Sequence, residues 1–291
     1  MFLKKLFFKR KKENIHSQPN EDMDLEWNGN LPGEEYVNQN AVILTGAAMA
    51  VGTREYQEDA YDVRWLRNSA VVAMVCDGMG GLEGGDVASK KAIESVMRGI
   101  NDIEENEWTT ADLLKIAGNA NVDIRDIEDD DENPLSCGTT MTLAVIIGNS
   151  LKWMSIGDSC IFLLTEGKLK RLTNEHNYSF MSRMLKDNDD FTPNPQVRSD
   201  ALVSYLGAPV LKYIDCNTDP LLLSNGDMVM LCSDGVTKLL SDDDIEEILL
   251  DDTCEPEGDL DSKAQEIVAA VSARAAETQD NTTVVLLKCE E

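Results

Sequence analysis

Histidine is almost missing from this chain: 291 residues contain only His16 and His176. A histidine-rich zinc site is therefore excluded, and the seven cysteines are scattered without the CxxC spacing that a thiolate site requires. Their odd number, and the placement of Cys76, Cys137, Cys160 and Cys232 in or beside apolar runs, indicate buried thiols in a reducing, cytoplasmic setting. Positive charge is scarce as well. With 26 basic against 54 acidic residues the formal charge is −28, which argues against a general nucleic-acid binder and favours cations and basic protein segments as partners. The opening stretch lacks the unbroken apolar core of a signal peptide and the length of a membrane span. No fixed-period repeat is present.

What is present is a set of apolar runs that end in acids. Val71 to Cys76 is continuously apolar and delivers Asp77 ahead of Gly78, Gly80 and Gly81, as a buried strand leading into a tight glycine-rich turn would. The pattern recurs in LKWMSIGDS, which places Asp158 after a mostly apolar run, and in MVMLCSDG, which places Asp234 after another. Asp280 and Asn281 open the run TTVVLL, and Glu58 and Asp59 follow the strand-like AVILTGAAMA. A carboxylate near an apolar strand end must be paired, hydrated or metal-bound, because burying it bare costs several kcal/mol or more. Oxygen-only acidic clusters suit hard cations such as Mg²⁺ or Mn²⁺.

Along the chain, residues 1–40 read as an appendage. MFLKKLFFKRKK carries six basic residues among five of Phe or Leu, and a polar, aperiodic stretch follows. The opening segment reads as a solvated tail, with weak contact of residues 1–12 with an anionic membrane surface as the sharper alternative. The globular pattern runs over 41–289. Helices are expected within GLEGGDVASKKAIESVMRGINDI, with Val87, Ala88, Ile93, Val96, Met97, Ile100 and Ile103 on one face, and after Thr109 or Thr110 as cap. Three strand-like runs, Thr139 to Ile147, Leu151 to Ile156 and Cys160 to Thr165, read as an antiparallel meander. Asp129 to Glu132 lacks the ligand spacing of an EF-hand and reads as a solvated loop. Residues 174–210, with three prolines, read as an inserted flap in which His176 serves structure before chemistry. Ser241 caps a short acidic helix, and a helix near Ser262 to Ala276 leads to the last strand.

The ordered set RxxxED, DGxGG, GTT, GDS, SDG and DN resembles the metal-dependent serine/threonine protein phosphatases of the PP2C or PPM family over roughly residues 41–289. The resemblance implies an α+β fold: an α-β-β-α sandwich of two mainly antiparallel sheets flanked by helices. It implies that Asp77 bridges two Mn²⁺ or Mg²⁺ ions, with the Gly78 carbonyl, Glu58, Asp234 and Asp280 completing the set and Asp59 beside Glu58. Asp158 with Asp234 matches the site of a third, weaker ion, and Arg54 matches the residue that grips the substrate phosphate. The implied activity is hydrolysis of phosphoserine and phosphothreonine in proteins by a water shared between the two ions, opposing a bacterial Ser/Thr kinase, in a monomer. Met79 stands where similar eukaryotic enzymes carry His, which points to a bacterial-type branch. A catalytically silent binding module and a hydrolase of small phosphoesters are the alternatives.

Overall fold

The computed structural model describes residues 41–66, 69–80, 84–103, 108–129, 131–186, 188, 191–251, 259–274 and 277–290, all within the compact unit Val37–Glu291. The basic segment and linker expected over 1–40, and Gly81 of the glycine-rich motif, lie outside them. In chain order come β1 (Val42–Ala50), β2 (Asp59–Trp65), β3 (Val71–Gly80), α1 (Gly85–Asn101), α2 (Thr110–Arg125), β4 (Cys137–Thr139) and β5 (Met141–Ile147). β6 (Ser150–Ile156), β7 (Cys160–Thr165), β8 (Lys168–Arg171), α3 (Tyr178–Met184), β9 (Asp215–Cys216) and β10 (Leu221–Leu222) follow. The chain closes with β11 (Met228–Cys232), α4 (Asp234–Thr237), α5 (Asp242–Leu250), α6 (Leu260–Ala273) and β12 (Thr282–Glu290).

The central run Val71–Cys76 is apolar without alternation because both faces of β3 are covered. Val71, Ala73 and Val75 look inward to Ile161, Leu231 and Val285 of the opposite sheet. Val72, Met74 and Cys76 look outward and pack on α1 and α2 through Ala88, Val96, Leu113 and Ile124. The second sheet repeats the arrangement, with Phe162, Met230 and Leu286 packed on Ile245, Ile267 and Val271 from α5 and α6. One sheet is ordered β1-β12-β11-β7-β8. The other is β10-β6-β5-β3-β2, with β4 added to β3 and β9 to β6, and every registered pairing is antiparallel. This is the α-β-β-α sandwich that the motifs imply. Among the described residues no helix is long and apolar enough to cross a membrane.

Local signals hold at the helix starts. Thr109 caps α2 in a reciprocal box with Asp112, and Ser241 does the same for α5 with Asp244; α6 starts at Leu260, ahead of the expected Ser262, because Asp259 caps it. Other expectations are corrected. The run from Thr139 to Ile147 is two strands, broken at Thr140, whose N–H and hydroxyl turn to the backbone of Asp77 at 2.9 Å each. The glycine-rich turn does not begin at Gly78, because β3 stays extended to Gly80 by pairing with β4. The meander is not one sheet: β5 and β6 belong to one, β7 and β8 to the other, and Gly157-Asp158 is the crossover. Gly157 takes φ +110°, and a Cβ there would stand 2.6 Å from Thr140 Cγ2, so only glycine makes this crossing without strain. Val87 is exposed in the first turn of α1, whereas Ala88, Ile93, Val96, Met97 and Ile100 are buried as the periodicity predicts, together with Ala92, which the sequence reading did not single out.

Leu231 is fully buried between the sheets. Leu231→Ala is expected to lower unfolding free energy by about 2–5 kcal/mol in urea titrations, whereas Val87→Ala is expected to change it by less than about 0.5 kcal/mol. Equal effects would contradict the assignment of the two faces.

Candidate active site

Both sheets bring their acids to one end of the sandwich. Asp59 at the start of β2 is the register partner of Asp77 near the end of β3. Asp158 lies on the crossover from β6 to β7, Asp234 opens α4 after β11, and Asp280 precedes β12. Close backbone approach holds Glu58 beside them: its carbonyl accepts the Gly78 N–H at 3.2 Å and the Ser89 hydroxyl at 2.6 Å. A Cβ on Gly78 would sit 2.1 Å from the Gly85 carbonyl oxygen, and one on Gly85 would sit 2.3 Å from Glu58 Oε1. Glycine at both positions is what lets β3, α1 and Glu58 meet.

Seven of the eight residues singled out in the sequence line one open pocket of about 480 Å³: Arg54, Glu58, Asp77, Gly78, Asp158, Asp234 and Asp280. Asp59 is the exception. It is buried behind the pocket lining, where the Thr283 hydroxyl donates to its Oδ2 at 2.7 Å and its Oδ1 has no hydrogen-bond partner. Asp234 Oδ1 is likewise buried and unpartnered.

Crowding acids in a partly dry space shifts their proton affinities. Burial, then repulsion from Asp59, Asp234 and Asp158, raises Asp77 well above the ordinary carboxylate range. Burial pushes Asp59 up to about 6 against the hydrogen bonds that favour its ionised form, and burial with the Asp234 charge pushes Asp158 to about 7. Glu58 and Asp234 are raised too, burial being the largest cause in each. Asp280 goes the other way. Burial raises it, but the hydrogen bond and charge of Lys238 together with Arg54 hold it below the usual value. Its carboxylate receives Arg54 Nη2 at 3.0 Å and Lys238 Nζ at 2.9 Å.

Several side chains that build the site were not assigned to it in the sequence. Asn281 accepts the Glu58 N–H at 2.7 Å and donates to the Val51 and Tyr56 carbonyls, which fixes the loop carrying Arg54. Thr140 shares a 2.7 Å hydrogen bond with the Ser159 hydroxyl and thereby links the Asp77 strand to the crossover. Lys238 reaches Asp234 Oδ2 at 2.6 Å, four residues on along α4, and that spacing was the available signal. His176 is structural, as its sequence context suggested: it is fully buried, its Nδ1 accepts the Gly157 N–H at 3.1 Å, and its Nε2 faces Asp215 Oδ1 at 3.2 Å.

The donor set is made of hard oxygen, with the buried Asp234 Oδ1 in the pocket and Asp59 Oδ1 behind it left without a hydrogen bond, and it suits Mn²⁺ or Mg²⁺. Among the described residues no three acids already converge as a finished ligand shell. Lys238 instead joins Asp234 to Asp280.

A family model described as protein phosphatase 2C matches residues 49–277. The chain belongs to that family, and it is a serine/threonine phosphatase of the bacterial type. It is similar to the serine/threonine phosphatase stp of Listeria monocytogenes, 28% identical over 192 residues, which cover 62% of this chain and 72% of that one. The phosphatase PstP of Mycobacterium tuberculosis is 31% identical over 170 residues, 55% of this chain and 30% of that longer protein. The solved catalytic domain of PstP, in complex with two manganese ions, superposes with a TM-score of 0.66 at 25% identity, covering 86% of this chain and 100% of the domain. The S. agalactiae serine/threonine phosphatase shares the fold, with a TM-score of 0.73 at 23% identity over 86% of this chain and 100% of that one.

Acids whose proton affinity is higher in the folded than in the unfolded chain stabilise the fold most below the ordinary carboxylate range and lose that contribution as pH rises through their folded values. With Asp59 at about 6 and Asp158 at about 7, the melting temperature of EDTA-treated protein is expected to fall as pH rises through that range. Asp158→Asn should flatten the upper part of the fall, and a melting temperature independent of pH would contradict the assignment.

Proposed function

We propose that this chain hydrolyses phosphoserine and phosphothreonine in proteins using two divalent cations, Mn²⁺ or Mg²⁺, held by Asp77, Glu58, Asp234, Asp280 and the Gly78 carbonyl. The observation that carries this reading is the convergence of these acids on one pocket, where the buried Asp234 Oδ1 has no hydrogen-bond partner. Asp59 orders the lining from behind, and Asp158 with Asp234 offers the edge for a third, weaker ion. Bound there, divalent cations supply the positive charge without which an acidic pocket would repel a phosphate, and they acidify water for in-line attack on phosphorus.

The rest of the work belongs to the chain. Arg54, exposed at the pocket and tied back by Asp280, presents a planar fork that matches two phosphate oxygens. Asp77 is kept in place by Thr140, which accepts its N–H, and by Thr139, whose hydroxyl donates to its carbonyl at 2.9 Å. Met79 lines the pocket and has no proton to give the leaving alkoxide, and buried His176 is already engaged with Gly157 and Asp215.

The phosphatase domain is taken as residues 41–289. Residues 174–210 act as a flap whose base is tied down by the Tyr178 N–H to the Ala201 carbonyl and the Leu206 N–H to the Thr139 carbonyl, while Arg198 and Leu202 line the pocket. The net charge of −28 favours basic segments around the phosphorylated residue. On the family resemblance carried by the motifs, we take the substrates to be products of a bacterial Ser/Thr kinase.

Phosphate release from a phosphothreonine peptide is expected to require Mn²⁺ or Mg²⁺, to stop in EDTA, and to fall about a hundredfold or more in Asp77→Asn. Arg54→Lys should lower kcat/KM about tenfold through the loss of bidentate binding. Absence of turnover with either metal in folded protein would refute the activity. Faster turnover of sugar phosphates than of phosphopeptides would reassign the substrate.

A further inference from the structure

Lys238 occupies a position that the phosphatase reading does not use. Its backbone is fixed, since its N–H closes α4 on the Asp234 carbonyl at 2.9 Å. Its side chain folds back along the same helix face, and Nζ stands 2.6 Å from Asp234 Oδ2 and 2.9 Å from Asp280 Oδ2. These are two of the carboxylates proposed to hold divalent cations. They come from α4 and from the segment before β12, so the ammonium joins two separate parts of the site. About half of the side chain is exposed toward the pocket, and its four-carbon stem can carry the charge away while the backbone stays put.

An ammonium accepted by the same oxygens as a divalent cation cannot share them. A hard cation needs those lone pairs at about 2.0–2.2 Å, and two positive charges over one pair of oxygens repel strongly in a partly buried site. We infer that Lys238 is a tethered cation that competes with divalent ions for Asp234 and Asp280, so that metal loads only by displacing an internal competitor. The inference rests on the reading that these carboxylates bind divalent cations. It adds a regulatory property to that site. Lys238 lowers apparent metal affinity and holds the acids together when metal is scarce. Once displaced, its ammonium stays in the pocket beside Arg54.

The test is Mn²⁺ titration by calorimetry of EDTA-treated, dialysed protein, comparing the native chain with Lys238→Met and Lys238→Arg, together with melting temperatures in EDTA and in saturating Mn²⁺. Removing a competitor that occupies the site most of the time should tighten apparent Mn²⁺ binding about tenfold. Lys238→Arg, which keeps the charge, should stay near the native affinity. In EDTA the Lys238→Met protein should melt below the native chain, because Asp234 and Asp280 have lost their counter-charge, and in Mn²⁺ the difference should vanish or reverse. Unchanged or weaker Mn²⁺ binding by a folded Lys238→Met protein, or an equal loss of melting temperature in both conditions, would overturn the inference and leave Lys238 as a structural contact. If neither protein takes up Mn²⁺, the metal reading itself fails, and the inference fails with it.

Discussion

The constraint behind this structure is mutual repulsion among carboxylates crowded at one end of a β-sandwich. Asp77 and Asp59 are partners on neighbouring strands, both largely removed from water, with Asp158, Asp234, Asp280 and Glu58 close enough to act on them. A buried acid without compensation costs several kcal/mol. The surroundings are arranged around that cost. Thr283 serves Asp59, the Thr139–Thr140 pair fixes the Asp77 backbone, and Lys238 with Arg54 answers Asp280. The glycines at 78 and 85 allow the backbones to come close enough for this network to form.

The sandwich explains how so many acids reach one place. Strands whose two faces are both covered, by the opposite sheet and by a helical layer, require apolar residues throughout, and the first position at which an acid is tolerated is the strand end. Val71–Cys76 before Asp77 and Met228–Cys232 before Asp234 follow this rule, and Leu151–Ile156 before Asp158 does so more loosely, with Lys152 and Ser155 in the run. Acidic residues at the ends of apolar runs therefore mark the site in the sequence before any coordinate is known.

The parts that sequence reasoning missed have equally physical causes. Gly-Asn-Ser after β5 and Gly-Asp-Ser after β6 look alike as turn signals, yet the first closes a hairpin and the second carries the chain into the other sheet. Local turn chemistry reports that the chain reverses and does not encode which sheet receives it. Val87 shared the helical period of Ala88 and Val96 but falls in the first turn of α1, where it faces solvent. Lys238 was overlooked because a lysine four residues from an aspartate is usually a minor surface pair. Its significance comes from Asp280, 42 residues farther on, and only tertiary structure brings the two together. Asn281 was quoted as part of a motif, but its three bonds to the Arg54 loop span more than 220 residues.

That last link sets an order of events during synthesis. β12 lies between β1 and β11 in its sheet, although it is the last of the described strands to be made. Until it emerges from the ribosome, β1 and β11 have no shared neighbour, Asp280 is missing from the pocket, and nothing from Asn281 holds the loop that carries Arg54. A nascent chain of this kind can fold its first helical layer early, but its catalytic end is completed only with the final strand. The site is therefore assembled only after Asp280 and Asn281 have joined the fold, however early the rest of the sandwich forms.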